Sequence, residues 1–414
     1  MKLVVAGVLV AAALITVNAQ FADSFVVSRD VPEIAYSTAP VANRVTELND
    51  RVRAGSVQLK FENRSGYLRA VLDALRVPVE SQIATFAKNS FQADLIERRN
   101  PRTLYFSDDA AVGWVRGADL LEVAVHDPKQ GAIFYTLEQK AAAKPELKRE
   151  DGCLACHLSW DTLGVPGFFF MSTLTVPDDP HTYASGFSSD DRKNFDTRWG
   201  GWYVTGDIGS LVHMGNVPVS NTDKPARAAA RMLKSLDSEI DAAGFPAKSS
   251  DVVALMVLDH QAHMMNLITR TGWEARLAQN RDPKQMARVE EAAVDLVDYL
   301  LFVYEAPLTS PVHGTSGFAE AFTARGPVDA KGRSLRQLDL NRRLLKYPCS
   351  YMIYSDAFDA MPMLAKNAVY RRLWRVLSGA EHNEPYSHVS AADRTAILEI
   401  LRATKKELPD YFTT

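Results

Sequence analysis

The run Cys153-Leu154-Ala155-Cys156-His157 constrains this chain more than any other feature. Two thiols three positions apart with an adjacent imidazole form the C-x-x-C-H pattern. In it the thiols can make thioethers to the two vinyl groups of one haem, and the histidine reaches the iron. A chain built this way must fold around a flat, largely apolar disc, and its surroundings and second axial ligand set the electronics of the iron. Competing chemistries fit less well. A structural zinc site takes four ligands, usually in two pairs, and the only other cysteine, Cys349, stands almost two hundred residues away. A thioredoxin-like C-x-x-C lies beside a βαβ pattern, which the flanks here lack. No second C-x-x-C-H occurs, so the expected cofactor is one covalent haem c per chain.

The N-terminus agrees with the motif. Met1-Lys2 is a short basic start, Leu3 to Val17 is apolar, and Val17-Asn18-Ala19 is a small-residue cleavage site, so the mature chain is expected to begin at Gln20. Haem is attached covalently outside the bacterial cytoplasmic membrane, which points to the periplasm or a secreted protein. The apolar run is shorter than the ~20 residues needed to span a bilayer. Membrane attachment is therefore expected only if this signal stays uncleaved. A net charge of −3 over 414 residues offers no basic face for nucleic acid.

The order of patterns predicts an α+β chain, with a β-rich N-terminal part, the haem site in the middle and a predominantly helical C-terminal part. Its regions are a signal peptide at 1–19, a β-rich region at 20–145, a haem-attachment and aromatic-loop region at 146–222, and a helical region at 223–414. Residues 20 to 60 lack periodicity and read as extended. Tyr67 to Leu75 reads as a short helix that ends before Val77-Pro78. Four runs rich in β-branched and aromatic residues, at Thr103–Phe106, Val112–Val115, Leu120–Val125 and Ala132–Leu137, are separated by Asp and Gly turns. They predict an antiparallel meander. Gly167–Met171 and Leu174–Val176 read as further strands. Helical spacing covers Ala226–Ala243, Asp251–Gln279, Pro283–Glu305 and Ala365–Leu377, and a last helix starts at Ser390 with Asp393 in a capping-box position.

His157 is the expected proximal iron ligand. For the second ligand, His213-Met214 stands out, because both usual ligand types lie side by side on a glycine-bracketed loop after a block of aromatics. His213 is the preferred residue and bis-histidine, low-spin iron the expected state. His260 and His263 sit on a helical stretch, where His260 lines up with apolar residues and reads as core. His126, His181, His313, His382 and His388 fall in turn-like contexts and read as surface residues. Arg198 is a candidate partner for a haem propionate, and Trp199 a candidate for packing on the ring. The same reading lets Trp199, Trp202 and Tyr203 be plain core. Cys349, in the dense block Arg342–Ser355, reads as a buried, inert thiol, with a reactive or iron-ligating role as the alternative.

Several blocks carry a resemblance: Glu80-Ser81-Gln82, Pro101 to Phe106, the C-x-x-C-H run, Arg198 to Gly206, His213 to Asn216, His260-Gln261 and Tyr347 to Ser355. Together they resemble an uncharacterised family of exported bacterial mono-haem cytochrome c domain-containing proteins. The resemblance spans most of the mature chain and implies the haem and the compartment, but no substrate. Di-haem peroxidases and rubber-cleaving di-haem oxygenases carry two such motifs and this chain carries one. The leading expectation is one-electron transfer to a redox partner protein or small molecule not identified by the sequence. The alternative is a haem enzyme of peroxidase or oxygenase type with an open or displaceable distal position.

Overall fold

The computed structural model describes residues 29–173, 186–216, 232–280, 282–381 and 383–412. The signal segment, Leu174–Val176, His181 and His382 lie outside them. The chain is α+β, with a β-rich N-terminal half and a helical C-terminal half.

Six strands form one antiparallel sheet in chain order: β1 (Ile83–Thr85), β2 (Arg102–Phe106), β3 (Ala110–Trp114), β4 (Leu120–Asp127), β5 (Gly131–Glu138) and β6 (Lys148–Arg149). The four runs expected as a meander are β2 to β5. Side chains alternate between the two faces of such a sheet, and the faces differ here. Thr103, Tyr105, Val112, Trp114, Leu121, Val123, Val125, Ile133, Tyr135 and Leu137 are buried. Most of them pack with α1 (Arg44–Arg53) and α2 (Leu68–Ala74) in one core cluster. On the other face, Arg102, Leu104, Ala111, Glu122 and Ala124 are only half-buried.

Helix α1 corrects the expectation of an extended segment over residues 20–60. Asn43 accepts from the backbone of Val45 and Thr46 while Thr46 returns a bond to Asn43. Val45, Leu48 and Val52 then bury one stripe. The expected helix Ala226–Ala243 is also corrected over its described part, residues 232–243, which are turns and bends. There the Ser235 hydroxyl accepts from Asp237 N–H at 3.0 Å, a local bond that competes with helix formation. Leu233, Leu236, Ile240 and Phe245 from this stretch plug the β-side core instead.

The C-x-x-C-H run starts at the end of a 3-10 turn (Asp151–Cys153) and continues as α3 (Leu154–His157), and a two-stranded hairpin follows it, β7 (Phe170–Thr173) with β8 (Gly186–Ser189). The helical part comprises α4 (Val252–Leu277), α5 (Pro283–Leu300), α6 (Phe318–Ala324), α7 (Asp356–Asp359), α8 (Met363–Leu377) and α9 (Ala391–Thr404). The 26-residue α4 is buried on nearly all sides, as its low polarity allows. Its cap is Asp251, fully buried. One carboxylate oxygen takes the N–H of Val253 at 2.8 Å and the other takes those of Thr315 and Ser316 at 2.7 and 2.8 Å. The Ser390/Asp393 capping box opens α9 as expected. Among the described residues no helix is long and apolar enough to cross a membrane.

Candidate functional site around Cys153, Cys156 and His157

The motif is held by both halves of the chain. The Glu150 carboxylate accepts the Gly152 N–H at 2.9 Å and starts a single 3-10 turn that runs into α3. Residues three and four apart share one face of a helix, so the turn sets both thiols and the imidazole on one side. Leu154 is buried in the β-side core. Cys153 is half-buried, Cys156 is exposed, and neither forms a disulfide. Burial, followed by the charges of Glu122 and Glu150 and opposed by Arg102, pushes the Cys153 thiol up to about 12.

The His157 ring lies against Phe134 of β5, centroids 4.7 Å apart, and against Phe169, 5.0 Å apart. Its Nδ1 is 2.9 Å from the carbonyl oxygen of Gly167. A carbonyl only accepts, so Nδ1 carries the proton and the lone pair of the neutral ring sits on Nε2. Burial takes the imidazole down to about 4 despite the Gly167 carbonyl, which keeps it neutral. Neutral, with a free Nε2 and an oriented Nδ1–H, is the state in which histidine ligates a metal.

Gly167 is itself positioned from α4. Asn266, buried, clamps the next peptide. Its Oδ1 accepts the Phe168 N–H at 2.9 Å and its Nδ2 donates to the Phe168 carbonyl at 2.6 Å. A side chain at Gly167 would bring its Cβ to 2.2 Å from Asn266 Oδ1, so the close approach needs glycine. Phe168 packs on both hydrophobic clusters, so the motif sits where the β-side and helical cores meet.

The half-buried sheet face supplies the next wall. Arg102 pairs with Glu122, and Ser90 Oγ donates to Glu122 at 2.8 Å. Phe91 beside them is 61% exposed, and Trp160, three residues after the motif, is 70% exposed. Large apolar rings left in the open next to two free thiols and a ligand-ready imidazole fit a flat apolar group held there. Arg102 and Glu122 were missed in the sequence, where nothing marks a strand residue as facing a motif that begins only at Cys153.

His213 is arranged differently. Its ring is buried against Trp199, centroids 5.4 Å apart, and burial takes it down to about 4. Its Nδ1 accepts the Gly215 N–H at 2.9 Å, so the proton of the neutral ring sits on Nε2. That is the opposite tautomer to His157, and it leaves no lone pair for iron. This geometry makes His213 a poorer candidate for the distal position than its place in the sequence implies.

Arg198 and Trp199 belong to a buried network rather than to the motif. The Arg198 guanidinium donates to the backbone carbonyls of Asp191 at 2.7 Å and Lys193 at 2.6 and 2.8 Å, stacks over Phe195, and lies 3.7 Å from Asp259. Its donors are spent there, not on a propionate. The Trp199 indole donates to Asp259 at 3.1 Å. Trp199 has φ +67°, a left-handed backbone that a non-glycine residue rarely takes, beside Gly200 and Gly201. Burial raises the Asp259 carboxyl to about 7, against the pull of Arg198 and Trp199.

His260 is core, as its helical alignment implied. Nδ1 meets Asp191 and Nε2 meets the Ser350 hydroxyl, both at 2.7 Å, and the ring stacks between Tyr299 and Phe302. The Asp-His-Ser line has the connectivity of a hydrolytic triad. All three residues are sealed from solvent, and it acts as a strut between the Asp191 loop, α4 and the Ser350 turn. His126 corrects the expectation of a surface histidine. It lies in β4, buried, with Nε2 at 2.9 Å from the Thr269 hydroxyl. Cys349 is buried, and burial raises its thiol well above the usual range.

Comparison with protein-family models, with curated proteins and with solved structures gave no match.

Proposed function

We propose that this chain is an exported mono-haem c-type cytochrome that passes single electrons. What supports the reading above all is the tautomer of His157: the Gly167 carbonyl accepts from Nδ1–H and leaves Nε2 free, next to the Cys156 thiol and one turn from that of Cys153. Cys153 and Cys156 would hold the porphyrin by thioethers and His157 would hold the iron. Haem bound there supplies a one-electron ferric–ferrous couple.

The chain's own groups have definite tasks in this reading. The Gly167 carbonyl fixes the rotation of the imidazole and raises its basicity. Phe134 and Phe169 confine the ring from two sides. The Asn266 clamp keeps the Gly167 carbonyl in place, so its direction is set by the longest helix and not by a free loop. The electron enters from and leaves to a redox partner protein or a small molecule in the periplasm or outside the cell. No bond to the partner need form or break.

A potentiometric titration with optical detection tests this. The expected result is one reversible wave with the slope of a single electron, and its loss in His157→Ala. A ferrous form that binds carbon monoxide rapidly would overturn electron transfer in favour of peroxidase or oxygenase chemistry at an open iron.

A further inference from the structure

We infer that Met171 is the distal ligand of the iron. The inference rests on the haem reading above and deepens it. It starts from β7, which alternates. Phe170 stacks on Trp202, with centroids 4.3 Å apart and planes at 21°. Ser172, two residues on, is fully buried, donating to the Thr197 carbonyl at 2.7 Å and accepting the Gly200 N–H at 2.9 Å. That face of the strand is committed to the Arg198–Trp202 segment. Met171 therefore projects from the opposite face, and it is only half-buried there.

The groups around Met171 lead back to the motif, directly or through their neighbours in the chain. Phe169, two residues back, lies against the His157 ring. Ser188 is paired with Met171 across the hairpin, and its hydroxyl donates to Asp161, four residues after His157. The Met171 sulfur is 3.9 Å from the amide nitrogen of Asn89. Two residues on, the Phe91 ring reaches to 3.4 Å of where a Gly152 Cβ would stand, directly before Cys153. Three separate segments thus bring Met171 to the side of the strand where the thiols and His157 are.

Several other described methionines and histidines are worse placed. Met214 contacts Ser172 Oγ at 3.9 Å, so it sits on the Trp202 face of β7, away from the motif. Met256, Met264, Met265, Met352 and Met361 are core. His260 has both ring nitrogens engaged, and His213 has its Nδ1 engaged. Thioether sulfur is a usual partner for a haem histidine and favours the ferrous state relative to a second imidazole.

The test uses the mature haem-loaded protein and two substitutions, Met171→Leu and Met171→His. Haem content per chain is measured on every sample. The wild type should be low-spin, show the far-red sulfur-to-iron band when oxidised, and resist carbon monoxide when reduced. Met171→Leu should lose that band, turn the ferric iron high-spin and bind carbon monoxide. Met171→His should stay low-spin, lose the band and titrate at a lower potential, so the inference is tested even if the leucine variant folds poorly. Met214→Leu and His213→Ala should keep the band. A band that survives in Met171→Leu would overturn the inference. So would a bis-nitrogen spectrum in the wild type, which would bring His263 forward. Those outcomes with one haem per chain refute the ligand alone, whereas absence of haem refutes the reading it rests on.

Discussion

Replacing Asn266 by Ala should loosen the site without touching the motif. Asn266 is the sole link seen between α4 and the Phe168 peptide, through two hydrogen bonds of 2.9 and 2.6 Å. Truncation leaves one N–H and one C=O without partners in a half-buried place. Each such group costs about 1–3 kcal/mol when fully buried, so a loss of roughly 2–4 kcal/mol is expected. Unfolding entropy of ~2.1 cal/mol/K per residue gives on the order of 0.8 kcal/mol/K for a folded body of this length, hence a fall in Tm of about 2–5 °C. The second effect is electronic. With Phe168 released, the Gly167 carbonyl drifts from His157 Nδ1, the imidazole becomes a poorer donor to iron, and the potential rises. If the Nδ1 bond favours the ferric over the ferrous form by ~1 kcal/mol, the rise is about 40 mV, since 59 mV is tenfold for one electron. Asn49→Ala is the matched control, because Asn49 clamps the Leu147 peptide in the same way at 2.8 and 3.0 Å, away from His157. Calorimetry and redox titration of the two variants should both show lost stability, with the shift in potential confined to Asn266→Ala. A stability change below ~0.5 kcal/mol, or equal shifts in both variants, would refute the reasoning.

The buried acids should give opposite pH signatures. Burial works to raise Asp191, but the His260 hydrogen bond and the charges of His260 and Arg198 outweigh it, so the carboxyl is depressed. Its contribution is complete above the unfolded value near ~3.9 and is lost as pH falls through the lower folded value, so Asp191→Asn should flatten the acid limb of a stability–pH curve. Asp259 is raised to about 7, so its folded form favours the neutral acid and stability falls as pH climbs from ~4 through 7. Asp259→Asn, measured by urea unfolding at pH 5 and pH 8, should gain on the wild type at the higher pH by on the order of 2–4 kcal/mol; a constant difference would contradict that. The Cys349 thiol should resist alkylation until the chain is unfolded, and Cys349→Ala should leave the haem content unchanged. Labelling of the native protein would make it a reactive thiol instead.

The elements that were legible in the sequence are those whose periodicity is local. β2 to β5 alternate over five to eight residues between Asp and Gly turns, and α4, α5, α8 and α9 carry helical spacing, with Asp or Ser caps on α4, α5 and α9. Helix α1 was missed because its capping box ends in Thr46 rather than Glu or Gln, a weaker mark. Ala226–Ala243 was over-read because its alanines outweigh a serine that prefers a local turn. At the site, three closely spaced residues announce themselves, while groups that set their chemistry come from elsewhere in the chain: Phe134 from β5, Glu122 from β4 and Asn266 from α4. The distal ligand was beyond sequence reading for a narrower reason. Which ring nitrogen of His213 holds the proton is decided by where the Gly215 N–H points. Which face of β7 the motif occupies is decided by tertiary packing. Neither leaves a pattern in the order of residues.

The central claim is a haem bound covalently through Cys153 and Cys156, and the most direct measurement is the haem-to-protein ratio of the denatured mature chain, by pyridine haemochrome together with intact mass. The account predicts one haem per chain, a mass raised by one haem, and an N-terminus at or near Gln20. Cys153→Ala combined with Cys156→Ala should abolish the attachment. A folded, exported wild-type chain at its bare polypeptide mass would contradict it, as would covalent haem that survives the double substitution.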